Sequence, residues 1–139
     1  MINYKTNNIV KRVTGLGGVF FKAKDPKKMK EWYATHLGMN GDEYGFSFQW
    51  KELGKEDAKE PAVTAWSPFD EKTKYFEPSE KPYMFNYRVE NLVELLKVLK
   101  EEGVQIVGEI HEYPYGKFGW IMDPDGNKIE LWEPKDGGF

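Results

Sequence analysis

The amino-acid sequence predicts an α+β fold made of two similar β-α-β-β-β modules. Two observations indicate this fold. A strand-like segment runs directly into an amphipathic helix twice along the chain, and short strand-like segments follow each time. In addition, each predicted helix begins at a polar N-cap residue and ends at a glycine. The 139 residues suffice for one domain of this kind with a substantial core.

The first module is predicted over residues 13–67. Its strand at residues 18–24 leads to Asp25 and Pro26, an acidic N-cap followed by proline at the first helical position, and Gly38 ends the helix. Further strands are predicted at residues 43–50 and 62–67. The apolar side chains of the helix fall on one face, which consists of Met29, Trp32, Tyr33 and Leu37.

The second module is predicted over residues 82–134. A strand at residues 83–89 precedes Asn91, which forms a capping box with Glu94 and starts a helix that runs through Glu102 and stops at Gly103. Strands follow at residues 105–110, 117–122 and 128–132. The apolar stripe of the helix consists of Leu92, Leu95, Leu96 and Leu99.

The last two strands are predicted to form a hairpin around the turn Asp123-Pro-Asp-Gly126. Carboxylates that bond nearby amides, a proline that fixes φ and a glycine that tolerates positive φ are typical of a tight turn. Beyond the turn, Ile129 and Leu131 alternate with Glu130 and Trp132. One face of the last strand is therefore apolar, and the other places a carboxylate beside an indole.

Two segments are predicted to be surface loops. Residues 51–60 are charged, and residues 68–81 form a long polar connection between the modules that is rich in proline. A long ordered loop often covers a binding site. From the sequence alone, the second loop could equally be an insertion without a role.

Composition excludes several function classes. The 20 basic and 23 acidic residues give a net charge of −3 and form no basic stripe, so we expect no nucleic-acid partner. No cysteine is present, which rules out disulfides, thiolate metal sites and a cysteine nucleophile. No apolar run is long enough for a membrane span, and residues 1–12 lack the apolar core of a signal peptide, so we expect a soluble, cytoplasmic protein.

The sequence resembles the vicinal oxygen chelate superfamily, which includes glyoxalase I, bleomycin-resistance proteins, fosfomycin-resistance enzymes and extradiol dioxygenases. The resemblance covers residues 13–134. It implies that the two modules curl a mixed sheet around a shared cleft, and that the protein forms a homodimer. The matching segments are Gly18-Val-Phe-Phe-Lys-Ala-Lys-Asp-Pro26, Trp32-Tyr33, Leu37-Gly38-Met39 and Asp123-Pro-Asp-Gly-Asn-Lys-Ile-Glu-Leu-Trp132.

Enzymes of that superfamily bind one divalent metal through residues from four strands, and three of the four positions are not matched here. The resemblance places the ligands at Gly18, at Ala65 or its neighbour Thr64, at Met84, and at Glu130. Only Glu130 can bind a hard cation, because glycine and alanine offer no side-chain donor and methionine sulfur suits soft ions. We therefore predict neither the usual metal nor any other cofactor.

Two histidines are possible substitutes. His36 lies at the end of the first helix, where a cationic imidazole suits the helix dipole, and a structural role is favoured. His111 precedes Tyr113-Pro-Tyr-Gly116, a connection that could overhang the cleft. A contact between His111 and a ligand stays open, although plain solvent exposure is the simpler interpretation.

Strand alternation predicts which side chains face the cleft. The abundant aromatic residues suit strands and cores, yet a small-molecule pocket is also usually lined by them, so Trp50 is included in the predicted ligand-binding set. Arg88 and Glu130 could instead form an internal ion pair. The predicted ligand-binding residues are Met84, Asn86, Arg88, Trp120, Trp132, Trp50 and His111, with Glu130 as the candidate catalytic residue.

Three functions are consistent with these features. The first is a metal-free protein that binds a small organic molecule, similar to bleomycin-resistance proteins. The second is a glyoxalase-like lyase or isomerase that uses Glu130 as general base and needs Arg88 or another donor to stabilise an oxyanion. The third is a structural or partner-binding module whose own side chains fill its cleft.

Overall fold

The computed structural model describes residues 12–51 and 61–135, which form seven strands and two helices. Residues 1–11, 52–60 and 136–139 lie outside the described part; they include most of the N-terminal segment and of the first predicted loop. The elements in chain order are β1 (Val13–Ala23), α1 (Pro26–Leu37), β2 (Phe46–Trp50), β3 (Ala62–Asp70), β4 (Tyr83–Val89), α2 (Leu92–Glu101), β5 (Ile106–Tyr113), β6 (Gly116–Met122) and β7 (Lys128–Pro134).

All seven strands belong to one mixed sheet with the order β2-β3-β1-β4-β7-β6-β5, which does not close into a barrel. The first strands of the two modules, β1 and β4, lie antiparallel at its centre. Each of them has the last strand of its own module as a parallel neighbour, β3 for β1 and β7 for β4. The two modules thus have the same arrangement, although over the described residues two strands follow α1 and three follow α2.

Both helices are capped as the sequence predicts. The Asp25 side chain accepts a hydrogen bond from Lys28 N at 3.1 Å, and Asn91 does the same for Glu94 N at 3.2 Å. Gly38 adopts a left-handed φ of 70°, which only glycine tolerates at low cost, directly after α1. Local sequence signals therefore determine where these helices begin and where α1 ends.

The helices differ in how much apolar surface they bury. The predicted stripe of α2 packs onto β4 and β7 in a core that contains Leu92, Leu95, Leu96, Val89 and Leu131. No residue of α1 is buried, and Trp32 and Leu37 on its apolar face are mostly exposed. Neither helix is long and apolar enough to cross a membrane, within the described residues.

The hairpin between β6 and β7 forms around the predicted turn. The Asp123 carboxylate accepts hydrogen bonds from Asn127 Nδ2 at 2.7 Å and from the backbone N–H groups of Asp125 and Asn127 at 2.9 Å each. These bonds, led by that from the Asn127 side chain, lower the pKa of Asp123. The turn sets the pairing of Met122 with Lys128, and all later pairs follow from it.

Strand alternation separates two faces of the sheet. Tyr87, Val89, Ile129 and Leu131 pack with α2, so Asn86 and Glu130, which alternate with them, lie on the opposite face. The candidate site is on this second face.

The connection between the modules differs from the predicted loop 68–81. Strand β3 continues through Asp70, and residues 71–82 then pack against the sheet face opposite α2; we call these residues the strap. The strap is tied at both ends, by Glu71 N to Ala23 O at 3.0 Å and by Lys22 N to Pro82 O at 2.8 Å. It is an ordered part of the fold, and its Phe76 side chain is fully buried.

Candidate functional site

Four neighbouring strands place one residue each in a single row across the sheet. Ala65 of β3 pairs with Gly18 of β1, Gly18 with Asn86 of β4, and Asn86 with Glu130 of β7. Trp120 of β6 extends the row on the far side of Glu130. Glu130 is the only acidic residue in this row, and its neighbours on both sides carry N–H donors.

The Glu130 carboxylate is buried, with 2% of the residue exposed, and three side chains donate hydrogen bonds to it. Asn86 Nδ2 donates to Oε1 at 2.7 Å, and Trp120 Nε1 donates to Oε2 at 2.9 Å. The Tyr75 hydroxyl, from the strap, also donates to Oε2. A buried carboxylate is costly unless its oxygens are hydrogen-bonded, so these donors are what allow it here.

Burial raises the pKa of Glu130, while the bonds from Tyr75, Asn86 and Trp120 and the nearby charge of Lys128 oppose that shift. Burial and the adjacent Glu130 carboxylate raise the pKa of Tyr75 far above its usual range, so the phenol stays neutral. It can therefore act as a donor to Glu130 throughout the usual pH range.

Lys128 fastens the strap above this network. Its Nζ donates to Tyr75 O at 2.7 Å and lies 5.3 Å from the centroid of the Tyr75 ring and 5.5 Å from that of Trp120. Burial lowers the pKa of this ammonium group. Lys128, the first residue of β7, thus binds the strap residue Tyr75 in two ways, through the Tyr75 carbonyl oxygen and through the face of the Tyr75 ring.

A pocket of about 500 Å³ opens on the same face beside Glu130. Aromatic side chains form much of its wall. Among the described residues, the charged side chains that line it are the carboxylates of Asp42 and Glu130, and no lysine, arginine or histidine does so. The lining residues are Gly17, Phe20, Asp42, Tyr44, Gly45, Phe46, Ser47, Ala65, Ser67, Asn86, Tyr115, Phe118, Glu130 and Trp132.

The floor of the pocket has no room for a larger residue in β1. The register of β1 against β4 shifts between Leu16 and Gly18, and Gly17 lines the pocket. A Cβ atom at Gly17 would lie 2.1 Å from Asn86 Oδ1. That buried oxygen accepts no hydrogen bond from the described residues, since Asn86 uses its Nδ2 group for Glu130.

Three of the residues proposed from the sequence, Asn86, Glu130 and Trp132, line the pocket. Met84 and Trp120 lie on the same face, but they are buried in a cluster with Phe76. Sequence reasoning did not select the strap residues Tyr75 and Phe76. The one available signal was an adjacent aromatic pair inside an otherwise polar segment.

The other proposed residues lie beside the pocket and do not line it. The Arg88 guanidinium is 5.6 Å from the ring centroid of Trp50 and 5.1 Å from that of Trp132. Trp50 Nε1 donates to Thr64 Oγ1 at 2.9 Å. The His111 ring packs 5.0 Å from the Trp120 ring. Neutral donors thus hold the Glu130 carboxylate, and Arg88 lies between two indoles.

The residues of this face do not fit a divalent metal. The row that contains Glu130 otherwise offers Ala65, Gly18 and Asn86, and it is Asn86 rather than Met84 that is in register with Glu130. Within residues 12–51 and 61–135, no group of three or more His, Cys, Asp or Glu residues could hold a metal ion. A hard cation needs several oxygen or imidazole ligands, which this row does not supply.

Comparison with known families agrees with the fold and with the resemblance noted in the sequence. Residues 15–131 match the sequence model of the Glyoxalase/Bleomycin resistance protein/Dioxygenase superfamily. The chain belongs to this superfamily. A search of curated proteins gave no significant match.

Solved structures of the same fold include two epimerases and a glyoxalase. Methylmalonyl-CoA epimerase from Mycobacterium tuberculosis is 23% identical, with a TM-score of 0.61 and coverage of 90% of this chain and 91% of that one. A variant of the Streptomyces coelicolor methylmalonyl-CoA epimerase in complex with 2-nitronate-propionyl-CoA is 10% identical, with a TM-score of 0.64 and coverage of 88% and 98%. The Mn(II)-bound glyoxalase from Novosphingobium aromaticivorans is 20% identical, with a TM-score of 0.53 and coverage of 89% and 40%. At these identities the likeness establishes the fold alone.

Proposed function

We propose that this protein binds a small organic molecule in the pocket beside Glu130, without the divalent metal that enzymes of the superfamily use. The observation that carries this proposal is the Glu130 carboxylate, which is held by three protein donors in a row whose only other side-chain oxygen belongs to the amide of Asn86. The adjoining pocket, at about 500 Å³, is within the range of small-molecule sites.

The lining suggests the chemical class of the ligand. Rings such as Phe46, Phe118 and Trp132 suit a flat or aromatic molecule, and the indole and phenol faces attract cations. The two lining carboxylates, with no Lys, Arg or His among the described lining residues, disfavour an anion, which argues against an acyl-CoA ligand like the one named for an epimerase. We therefore propose a neutral or cationic aromatic ligand.

One acceptor position remains for a polar group of the ligand. Glu130 Oε2 accepts from both Tyr75 and Trp120, whereas Asn86 is the one described residue that donates to Oε1. A carboxylate oxygen has two lone pairs, so Oε1 can accept a second hydrogen bond from a ligand N–H or O–H group. This contact would fix the orientation of a molecule that is otherwise held by stacking.

A lyase or isomerase reaction with Glu130 as general base is the second candidate, because burial shifts the pKa of Glu130 upward, the direction that a base working near neutral pH needs. The binding proposal is preferred for two reasons. Three donors already oppose that shift, and the described lining residues include no cationic group that could stabilise an oxyanion. A purely structural module is less consistent with a pocket of this size.

A thermal-shift screen of aromatic amines, acyl-CoA thioesters and neutral aromatics tests the proposal, with every compound run in EDTA and again with Mn²⁺. A ligand at one hundred times its Kd stabilises the native state by about 2.7 kcal/mol, which is a readily measured shift. We expect hits among amines or neutral aromatics that are equal in both conditions. Stabilisation only when Mn²⁺ is present, or only by acyl-CoA compounds, would refute it.

The homodimer also stays a prediction that rests on the resemblance, and light scattering of the purified protein tests it. A monomeric mass would contradict it.

A further inference from the structure

We infer that Phe76 of the strap sets the size of the ligand that the pocket accepts; this inference rests on the binding function proposed above. The Phe76 ring is fully buried on the same sheet face as the pocket, in a cluster with Met84 and Trp120. It comes from the connection between the modules and not from a strand of the sheet. Met84 lies in β4 and Trp120 in β6, so the Phe76 ring packs against the part of this face that the second module forms.

Two side chains connect the buried cluster that contains Phe76 with the open pocket. Phe20 and Phe118 pack against the cluster that contains Phe76, and both also line the pocket. The buried cluster and the space that a ligand would fill are thus adjacent across these two side chains. A smaller residue at position 76 should extend the pocket toward Met84 and Trp120.

The strap holds Phe76 firmly enough for it to act as a fixed boundary. On one side, Tyr75 donates to Glu130 and its carbonyl accepts from Lys128 at 2.7 Å. On the other side, Ser79 N donates to Phe76 O at 2.9 Å, and the Phe69 ring packs 5.3 Å from the Phe76 ring. Because the residues before and after Phe76 are held by these contacts, the Phe76 ring limits the size of the ligand through the volume that it fills.

The test compares wild type, Phe76→Ala and a matched control, Leu92→Ala. Leu92 is also fully buried, but it lies in the α2 core on the opposite face of the sheet. Binding of benzylamine and of the longer 4-phenylbenzylamine is measured by calorimetry. Binding of xenon, which enters dry apolar cavities, is measured on the same variants in the crystal.

In Phe76→Ala we expect a xenon site beside Met84 and Trp120, and a preference for 4-phenylbenzylamine over benzylamine that rises about tenfold or more from the burial of the extra ring. Leu92→Ala should take up xenon within the α2 core and leave that preference unchanged. If Phe76→Ala does not fold cooperatively, Phe76→Val replaces it, with a smaller rise in the same direction.

An unchanged preference in a folded Phe76 variant that does bind the amines would overturn the inference while the binding function stands. Xenon uptake beside Met84 without binding of either amine to any variant would instead refute the amine-binding pocket, and Phe76 would then be a core residue only. The two failures are therefore distinguishable.

Discussion

The Tyr75 hydroxyl is the contact through which the strap reaches the Glu130 carboxylate, and Tyr75→Phe removes it while keeping the ring. A hydrogen bond to an ionised group contributes about 1.5–3 kcal/mol, and one between neutral groups about 0.5–1.5 kcal/mol. Tyr75 as a whole is 40% exposed, so solvent screens part of this interaction. We therefore expect a loss of about 1.5 kcal/mol in the free energy of unfolding when Glu130 is ionised.

The loss should depend on pH, because the bond from Tyr75 lowers the pKa of Glu130. Below the pKa of Glu130 the carboxyl is neutral, and the loss should fall toward about 0.5 kcal/mol. As pH rises through that pKa, the buried anion forms with one donor fewer, and the loss should grow. Urea unfolding of both proteins across acidic to neutral pH measures this difference.

Tyr44→Phe is the matched control, since Tyr44 is 75% exposed. It should leave the free energy of unfolding within about 0.5 kcal/mol of wild type at every pH. A Tyr75→Phe protein that is as stable as this control, or one whose loss is largest at acidic pH, would refute the assigned hydrogen bond.

Three further substitutions test the same network. Gly17→Ala should destabilise by about 1–3 kcal/mol, because its Cβ would meet Asn86 Oδ1 at 2.1 Å; urea unfolding within about 0.5 kcal/mol of wild type would contradict this. Glu130→Gln should remove a pH-dependent part of the free energy of unfolding. Because the pKa of Glu130 is raised in the folded state, Glu130 contributes stability fully below the ordinary pKa of Glu, and this contribution is lost as pH rises through the folded-state pKa. The difference between the wild-type and Glu130→Gln profiles should slope by at most about 1.4 kcal/mol per pH unit in that window, and parallel profiles would disprove it. Lys128→Met should raise the pKa of Glu130 further, since the ammonium charge lowers it, and carboxyl ¹³C NMR titration measures the shift. An unchanged or lower pKa would show that Lys128 acts only on the strap.

The elements that could be predicted from the sequence are those that local chemistry determines. The caps Asp25 and Asn91 and the turn at Asp123 each satisfy backbone groups within four residues of themselves. Strand alternation then assigned residues of β4 and β7 to the α2 face or to the pocket face. Because side chains alternate with a period of two, knowing which residues face α2 determines which residues face the other way. The register between strands could not be predicted from the sequence. The shift in β1 places Gly17 at the pocket, and Asn86 rather than Met84 is paired with Glu130.

The extent of burial on α1 could not be predicted in the same way. An apolar stripe that includes Trp32 and Leu37 is typical of a helix packed on a sheet. In the structure, however, both residues are more than half exposed. Amphipathic spacing shows which side of a helix can be buried. Whether a second surface covers that side depends on contacts that the spacing does not encode.

The hydrogen-bond requirement of the buried Glu130 carboxylate explains the role of the strap, which was not predicted from the sequence. A carboxylate in the middle of a sheet, between Asn86 and Trp120, needs partners for both of its oxygens when it is buried. A metal would satisfy it, and so would hydrogen-bond donors. Since the row supplies no second carboxylate or imidazole that could help to hold a metal, the partners have to be hydrogen-bond donors. The two strand neighbours supply two of them, and the third can come only from a segment that crosses the face of the sheet. Within the connection at residues 68–81, Tyr75 is the only tyrosine. In a row that lacks the usual metal ligands, the Tyr75 hydroxyl thus completes the set of partners that a buried carboxylate requires.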